Sequence, residues 1–135
     1  MKTILLVEDS PLDVELMLHA ASYCNIAERI AVARDGVEAL DYLLARGAHA
    51  GRTEGHPKLV LLDLHMPRLD GFEVLKTIRT HPLLSDIPVV VMTSAAEDAD
   101  LRRASMLGID ELITKTLDFT VLVRTMARLR LQYLQ

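Results

Sequence analysis

The chain has 135 residues, half of them hydrophobic and a quarter charged, with a formal net charge of −4; this suits one folded domain and excludes a disordered chain. Its most apolar stretches, 59–62 and 87–92, fall far short of the ~18–20 residues needed to span a bilayer. The N-terminal apolar run meets Glu8 and Asp9 too soon for a signal peptide, and a pI near 5.7 argues against nucleic acid as the main partner.

Residues 3–7 form a continuous apolar run and predict a strand buried on both faces. Ser10 and Pro11 follow as an N-cap and a first-turn proline, and Val14, Met17, Leu18, Ala21 and Cys24 share one helical face. Residues 29–33 predict a second strand. Asp35-Gly36-Val37-Glu38 has the form of a capping box, and Leu40 and Leu44 continue its helix. Residues 47–57 hold three glycines, His49, His56 and Pro57, and read as a functional loop or a tolerated insertion. Leu59–Leu62 predicts a central strand. Asp70-Gly71-Phe72-Glu73 repeats the cap, and Leu75 and Ile78 carry the helix it opens. A fourth strand is predicted over 88–92, a weakly apolar helix over 98–107 stopped by Gly108, and a short fifth strand over 112–114. Asp118 caps a last helix running to the C-terminus, whose Phe119, Leu122, Met126, Leu129 and Tyr133 face the sheet. With Cys24 as the lone cysteine, no internal disulfide is available and the expected home is the cytoplasm.

Five strand-helix repeats with strands buried on both faces imply an α/β, doubly wound, five-stranded parallel sheet. Ligands in such sheets bind beyond the carboxyl ends of the strands. There the sequence places Glu8 and Asp9 after strand one, Asp63 after strand three, Thr93 and Ser94 after strand four, and Lys115 after strand five. Taken singly each is an ordinary cap, turn former or exposed lysine. Together they converge on one edge. Three close carboxylates repel one another, and Mg²⁺ with Lys115 balances them to zero. Magnesium takes oxygen ligands and keeps waters that phosphate oxygens displace; the histidines and Cys24 lack zinc spacing.

The pieces 4–9, 61–67 with Asp70-Gly71, 89–95, and Gly108 leading to Ile113-Thr114-Lys115 resemble the receiver domain of two-component response regulators, over essentially the whole chain. In its long 47–57 loop and expected lack of an output domain, it is similar to the small regulators that partner bacterial and cyanobacterial phytochromes. The resemblance implies a flavodoxin-like (βα)5 fold with strand order 2-1-3-4-5 and a single receiver domain over 1–135. It also implies a phosphoryl group taken from a sensor histidine kinase onto Asp63. Asp9 and Asp63 would hold Mg²⁺ directly and Glu8 through water, with the His65 backbone carbonyl as a further ligand. Thr93 and Lys115 would bind phosphoryl oxygens, and small Ser94 would govern access to them.

Two positions depart from the family. Thr116 stands where proline usually follows the lysine; a cis bond there costs ~3–4 kcal/mol, so a trans bond, or a strained cis one, is expected. Leu112 stands at the switch position, where many receivers carry an aromatic, which shifts the expected output toward quaternary structure. The chain is therefore expected to be a phosphoacceptor that is not a multiple-turnover enzyme. It signals by protein contacts or passes the phosphoryl group to a histidine phosphotransfer protein, with no nucleic acid or membrane partner. A phosphatase of the haloacid dehalogenase type would place its Asp after the first strand with an acid two residues on, and here residue 65 is histidine. A binding module that is never phosphorylated is the other alternative. Finally, Leu117, Val121, Leu131 and Leu134 fall outside the sheet-facing stripe. With Arg124 and Arg128 they are expected to form a homodimer face, these arginines and Arg130 reaching Asp98, Asp100, Asp110 and Glu111 of a second copy.

Overall fold

The computed structural model describes residues 2–66, 68–93 and 98–134, with only the backbone described at Asp98. In chain order the elements are β1 (Ile4–Val7), α1 (Pro11–Ser22), β2 (Ile30–Ala33), α2 (Gly36–Leu43), β3 (Leu59–Leu62), α3 (Gly71–Thr80), β4 (Val89–Thr93), α4 (Asp98–Leu107), β5 (Glu111–Thr114) and α5 (Phe119–Tyr133). All strand pairs are parallel, and the order is β2-β1-β3-β4-β5. This is the flavodoxin-like, doubly wound sheet expected from the residues and the resemblance.

The continuous apolar strands feed two cores, one on each face of the sheet. Leu5, Val7, Val60, Leu62, Val89 and Val91 pack with α2, α3 and α4. Ile4, Leu6, Leu59, Leu61, Val90 and Met92 pack with α1 and α5. Helix starts follow the expected chemistry: Ser10 accepts from the Asp13 N–H, Asp35 from Glu38, Asp70 from Glu73, and Asp118 from Thr120 and Val121. Gly108 lies at φ +95°, the left-handed geometry that ends α4.

Several expectations shift. Thr93 is the last residue of β4 rather than the first beyond it, and Cys24 lies past the end of α1. The 47–57 segment contains a 3₁₀ turn, Gly47–His49. Its Arg52 stacks over the Tyr42 ring at 4.4 Å and donates to the carbonyls of Tyr42, Leu43, Glu54 and Gly55. The segment is thus tied down over the end of α2, where orphan carbonyls need donors.

The α5 stripe needs a correction. Leu117, Val121 and Leu131 are exposed as expected, but Leu134 is buried in the α1/α5 core. Leu134, the C-cap, keeps the helical bond to the Arg130 carbonyl and follows Val123 and Ala127 along the flank of α5 that packs on the core shared with α1. Several of the charges expected to reach a second copy are engaged within the chain. Arg128 bonds Glu111, Asp110 bonds Arg79, Asp100 contacts His65, and Arg130 donates to the Cys24 carbonyl. Ser94, Pro67 and Ala95 lie outside the described residues.

Candidate functional site

Strand register builds the site. Val7 is opposite Leu62, so the residues that follow them leave the sheet side by side. The Glu8 N–H bonds the Ala33 carbonyl and the Asp63 N–H bonds the Val7 carbonyl. Across β3 from β1 lies β4, where buried Thr93 pairs with Thr114 in β5, and the Lys115 N–H closes the edge on the Thr93 carbonyl at 2.9 Å. Gly71 lets the α3 terminus sit against the Asp63 backbone: a Cβ there would stand 2.2 Å from the Asp63 carbonyl oxygen.

Glu8, Asp9 and Asp63 each bring a carboxylate oxygen within 4.8 Å of the others. The Lys115 ammonium lies 2.5 Å from Glu8 Oε1, 3.1 Å from Asp13 Oδ2 and 3.2 Å from Asp63 Oδ2. Asp13 is the contact the sequence reading missed. It stands in the first turn of α1, where an acid is explained by the helix dipole alone. Its partner is 102 residues away, which no local spacing reveals. Its charge also alters the balance: with four carboxylates, a divalent cation and Lys115 leave one negative charge in excess.

Burial pushes the Glu8 carboxyl above its ordinary range, and the charge of Asp63 adds to this against the lowering contacts of Lys115 and the Ser10 N–H. Burial alone would lower the Lys115 ammonium, but the Glu8 hydrogen bond and the charges of Asp63 and Glu8 hold it well above its usual range. A carboxyl whose folded value is raised favours the folded chain at low pH, and that contribution is lost as pH rises through the raised value. The pairing of ionised Glu8 with the Lys115 ammonium opposes that loss. Glu8→Gln is expected to gain less thermal stability than the native chain when Mg²⁺ is added. Thermal melts with and without Mg²⁺ check this.

The donor set suits a hard divalent cation: all oxygen, anionic, partly buried. Glu8 Oε1 is fully buried with the Lys115 ammonium as its partner, so a cation that took this oxygen would take it from the lysine. His65 donates its N–H to Asp63 Oδ1 at 3.2 Å. Its imidazole, assigned no role from sequence, lies 3.1 Å from Asp100 of α4 and edge-on to Phe72, tying the β3–α3 loop to α4. Leu112 packs partly buried beside α4, opposite Val91. Among the described residues no peptide bond is cis, so Lys115–Thr116 is trans.

Known proteins share this arrangement. The model of the response regulator receiver domain matches residues 4–127. The Probable methanogenesis regulatory protein FilR2 of Methanothrix harundinacea is 41% identical over 127 residues, covering 94% of this chain and 80% of that protein. The crystal structure of the phosphorylated cyanobacterial phytochrome response regulator RcpA has a TM-score of 0.88 and 34% identity, covering 99% of this chain and 94% of RcpA. The Mn²⁺-bound form of response regulator Rcp1 has a TM-score of 0.84 and 33% identity, covering 96% and 92%. With a matching sheet order, an acid cluster at the strand ends and a family model spanning nearly the whole chain, the protein belongs to the response regulator receiver domain family of two-component signalling.

Proposed function

We propose that this chain is a phosphoacceptor. A carboxylate oxygen of Asp63 attacks the phosphorus of a phosphohistidine on a sensor kinase; the P–O bond forms as the P–N bond breaks, and the imidazole leaves with the bonding pair. Its likeness to RcpA supports a phytochrome-type kinase as donor. The observation that carries the reading is the placing of buried Asp63 in the carboxylate group with Glu8 and Asp9, 3.2 Å from the Lys115 ammonium.

Asp9 and Asp63 would bind Mg²⁺ directly, with Glu8 acting through water and the His65 carbonyl as a further ligand. The cation would neutralise charge on the transferring group. Lys115 would leave its carboxylates to pair with one phosphoryl oxygen, Thr93 would donate its hydroxyl to another, and Ser94, by its small size, would govern access to the group. Positioning and charge neutralisation are most of what phosphoryl transfer requires. The acyl phosphate then signals through protein contacts, a homodimer among them, or passes to a histidine phosphotransfer protein. The reading extends to one receiver domain over 1–135 acting in the cytoplasm, and no described helix is long and apolar enough to cross a membrane. Incubation with Mg²⁺ and acetyl phosphate, followed by intact mass, tests it: a gain of one phosphate, about 80 Da, is expected only when the metal is present.

The metal shell has its own test. Asp9→Ala is expected to weaken Mg²⁺ binding more than Glu8→Ala, because a direct ligand outweighs one acting through water. Lys115→Ala is expected to keep or improve binding, since the ammonium competes for Glu8 and Asp63, while phosphoryl uptake falls. Calorimetric titration ranks the variants; the reverse order of Asp9 and Glu8 would exchange their places around the cation.

A further inference from the structure

Lys115 and a divalent cation want the same oxygens. Two of the three carboxylates on the ammonium, Glu8 and Asp63, belong to the metal-binding group. The third, Asp13, does not. It reaches Lys115 Nζ at 3.1 Å from the first turn of α1. An ammonium has three donors, and in the metal-free site three carboxylates meet them. When a cation draws Glu8 and Asp63 toward itself, two of those contacts weaken and the cation repels the ammonium. Asp13 alone then remains to Lys115 without competition.

We infer that Asp13 is a positioning residue: it keeps the Lys115 ammonium in the site beside the cation and so lets both positive groups be present before a phosphoryl group arrives. This rests on the phosphoacceptor reading for its purpose, but its physical content is a coupling between Asp13, Lys115 and metal. Asp13 brings a negative charge as well as a lysine contact, and the two effects separate in a double-mutant cycle. If Asp13 acts through Lys115, removing it leaves the ammonium bound to Glu8 and Asp63, and the cation must displace it unaided. Once Lys115 is gone, only the loss of a nearby charge remains.

Mn²⁺ is the probe, titrated by the paramagnetic resonance signal of the free ion into the full-length native chain, Asp13→Ala, Lys115→Ala and the double variant. Asp13→Ala is expected to weaken Mn²⁺ binding about fivefold in the native background and less than about twofold in the Lys115→Ala background. Asp13→Glu, which keeps the carboxylate, is expected to return the affinity to near native. Asp13→Asn keeps the shape of the first turn and repeats the cycle if the alanine variant fails to melt cooperatively. Equal losses in the two backgrounds mean that Asp13 acts by charge alone, and they overturn the inference without touching the phosphoacceptor reading. An unchanged or tighter Asp13→Ala chain overturns it as well. A native chain that takes up no Mn²⁺ overturns both this inference and the metal half of the proposed function.

Discussion

Asp63→Asn is expected to abolish the mass gain from acetyl phosphate and Mg²⁺, lowering the rate by at least about two orders of magnitude. Glu8 and Asp9 offer carboxylates within 4.8 Å of the same place, so the choice of Asp63 needs a reason. Strand order supplies it. β3 sits between β1 and β4, so Asp63 alone has Glu8 and Asp9 on one side and Thr93 on the other. Glu8 is more deeply buried than Asp63 and lies closer to the Lys115 ammonium, at 2.5 Å against 3.2 Å, which leaves it the poorer nucleophile. Asparagine keeps the shape of the side chain and removes the anionic nucleophile. Lys115 retains Glu8 and Asp13, so the fold is expected to survive, as a melting curve would show. The native adduct is expected to be cleaved by hydroxylamine and by base, as an acyl phosphate is. An unchanged yield in Asp63→Asn would move the acceptor to another carboxylate.

What was legible in the sequence follows from where the physics is local. Apolar runs such as Leu59–Leu62 state their own burial, and caps at Asp35, Asp70 and Asp118 state where helices begin. Each strand end then carries its polar residue without further help. Strand order is not local: it came from the family resemblance, and the structure bears it out. Long-range contacts were also out of reach. Asp13 reads as a helix-dipole acid, and His65 as a residue whose side chain is free to vary. Both acquire partners only when α1 meets the end of β5 and α4 meets the β3–α3 loop. The misplacement of Leu134 has the same origin: it follows Val123 and Ala127 on a flank of α5 that is buried only because α1 packs there. Arg128 and Glu111, assigned to opposite copies, lie close enough on neighbouring elements to pair within one.

Replacing Val121 and Leu131 together by glutamate is expected to convert a homodimer to a monomer, read by light scattering as a fall from twice the 15.0 kDa chain mass to that mass. On α5 the buried side chains Leu122, Met126 and Leu129 take one face. Val121, Arg124, Arg128 and Leu131 recur at helical spacing on the opposite side, and Leu117 precedes them; its exposure is 82%, that of Leu131 65% and that of Val121 42%. Such large apolar side chains on one stripe are costly to leave in water. A second copy covers them most simply, because a two-fold axis brings the same stripe to itself. The Arg128–Glu111 pair within each chain lies between the apolar groups; across a two-fold it sets orientation more than affinity. Two buried glutamates facing their own copies repel and lose solvation, which is expected to raise the dissociation constant by about two orders of magnitude or more. Leu12→Glu with Leu83→Glu is the control. Those side chains are similarly exposed, at 60% and 70%, but lie in the first turn of α1 and beyond the end of α3, and the dimer is expected to persist. A native chain that stays monomeric with and without phosphate would exclude the dimer, and a dimer that survives Val121→Glu with Leu131→Glu would place the interface on another face.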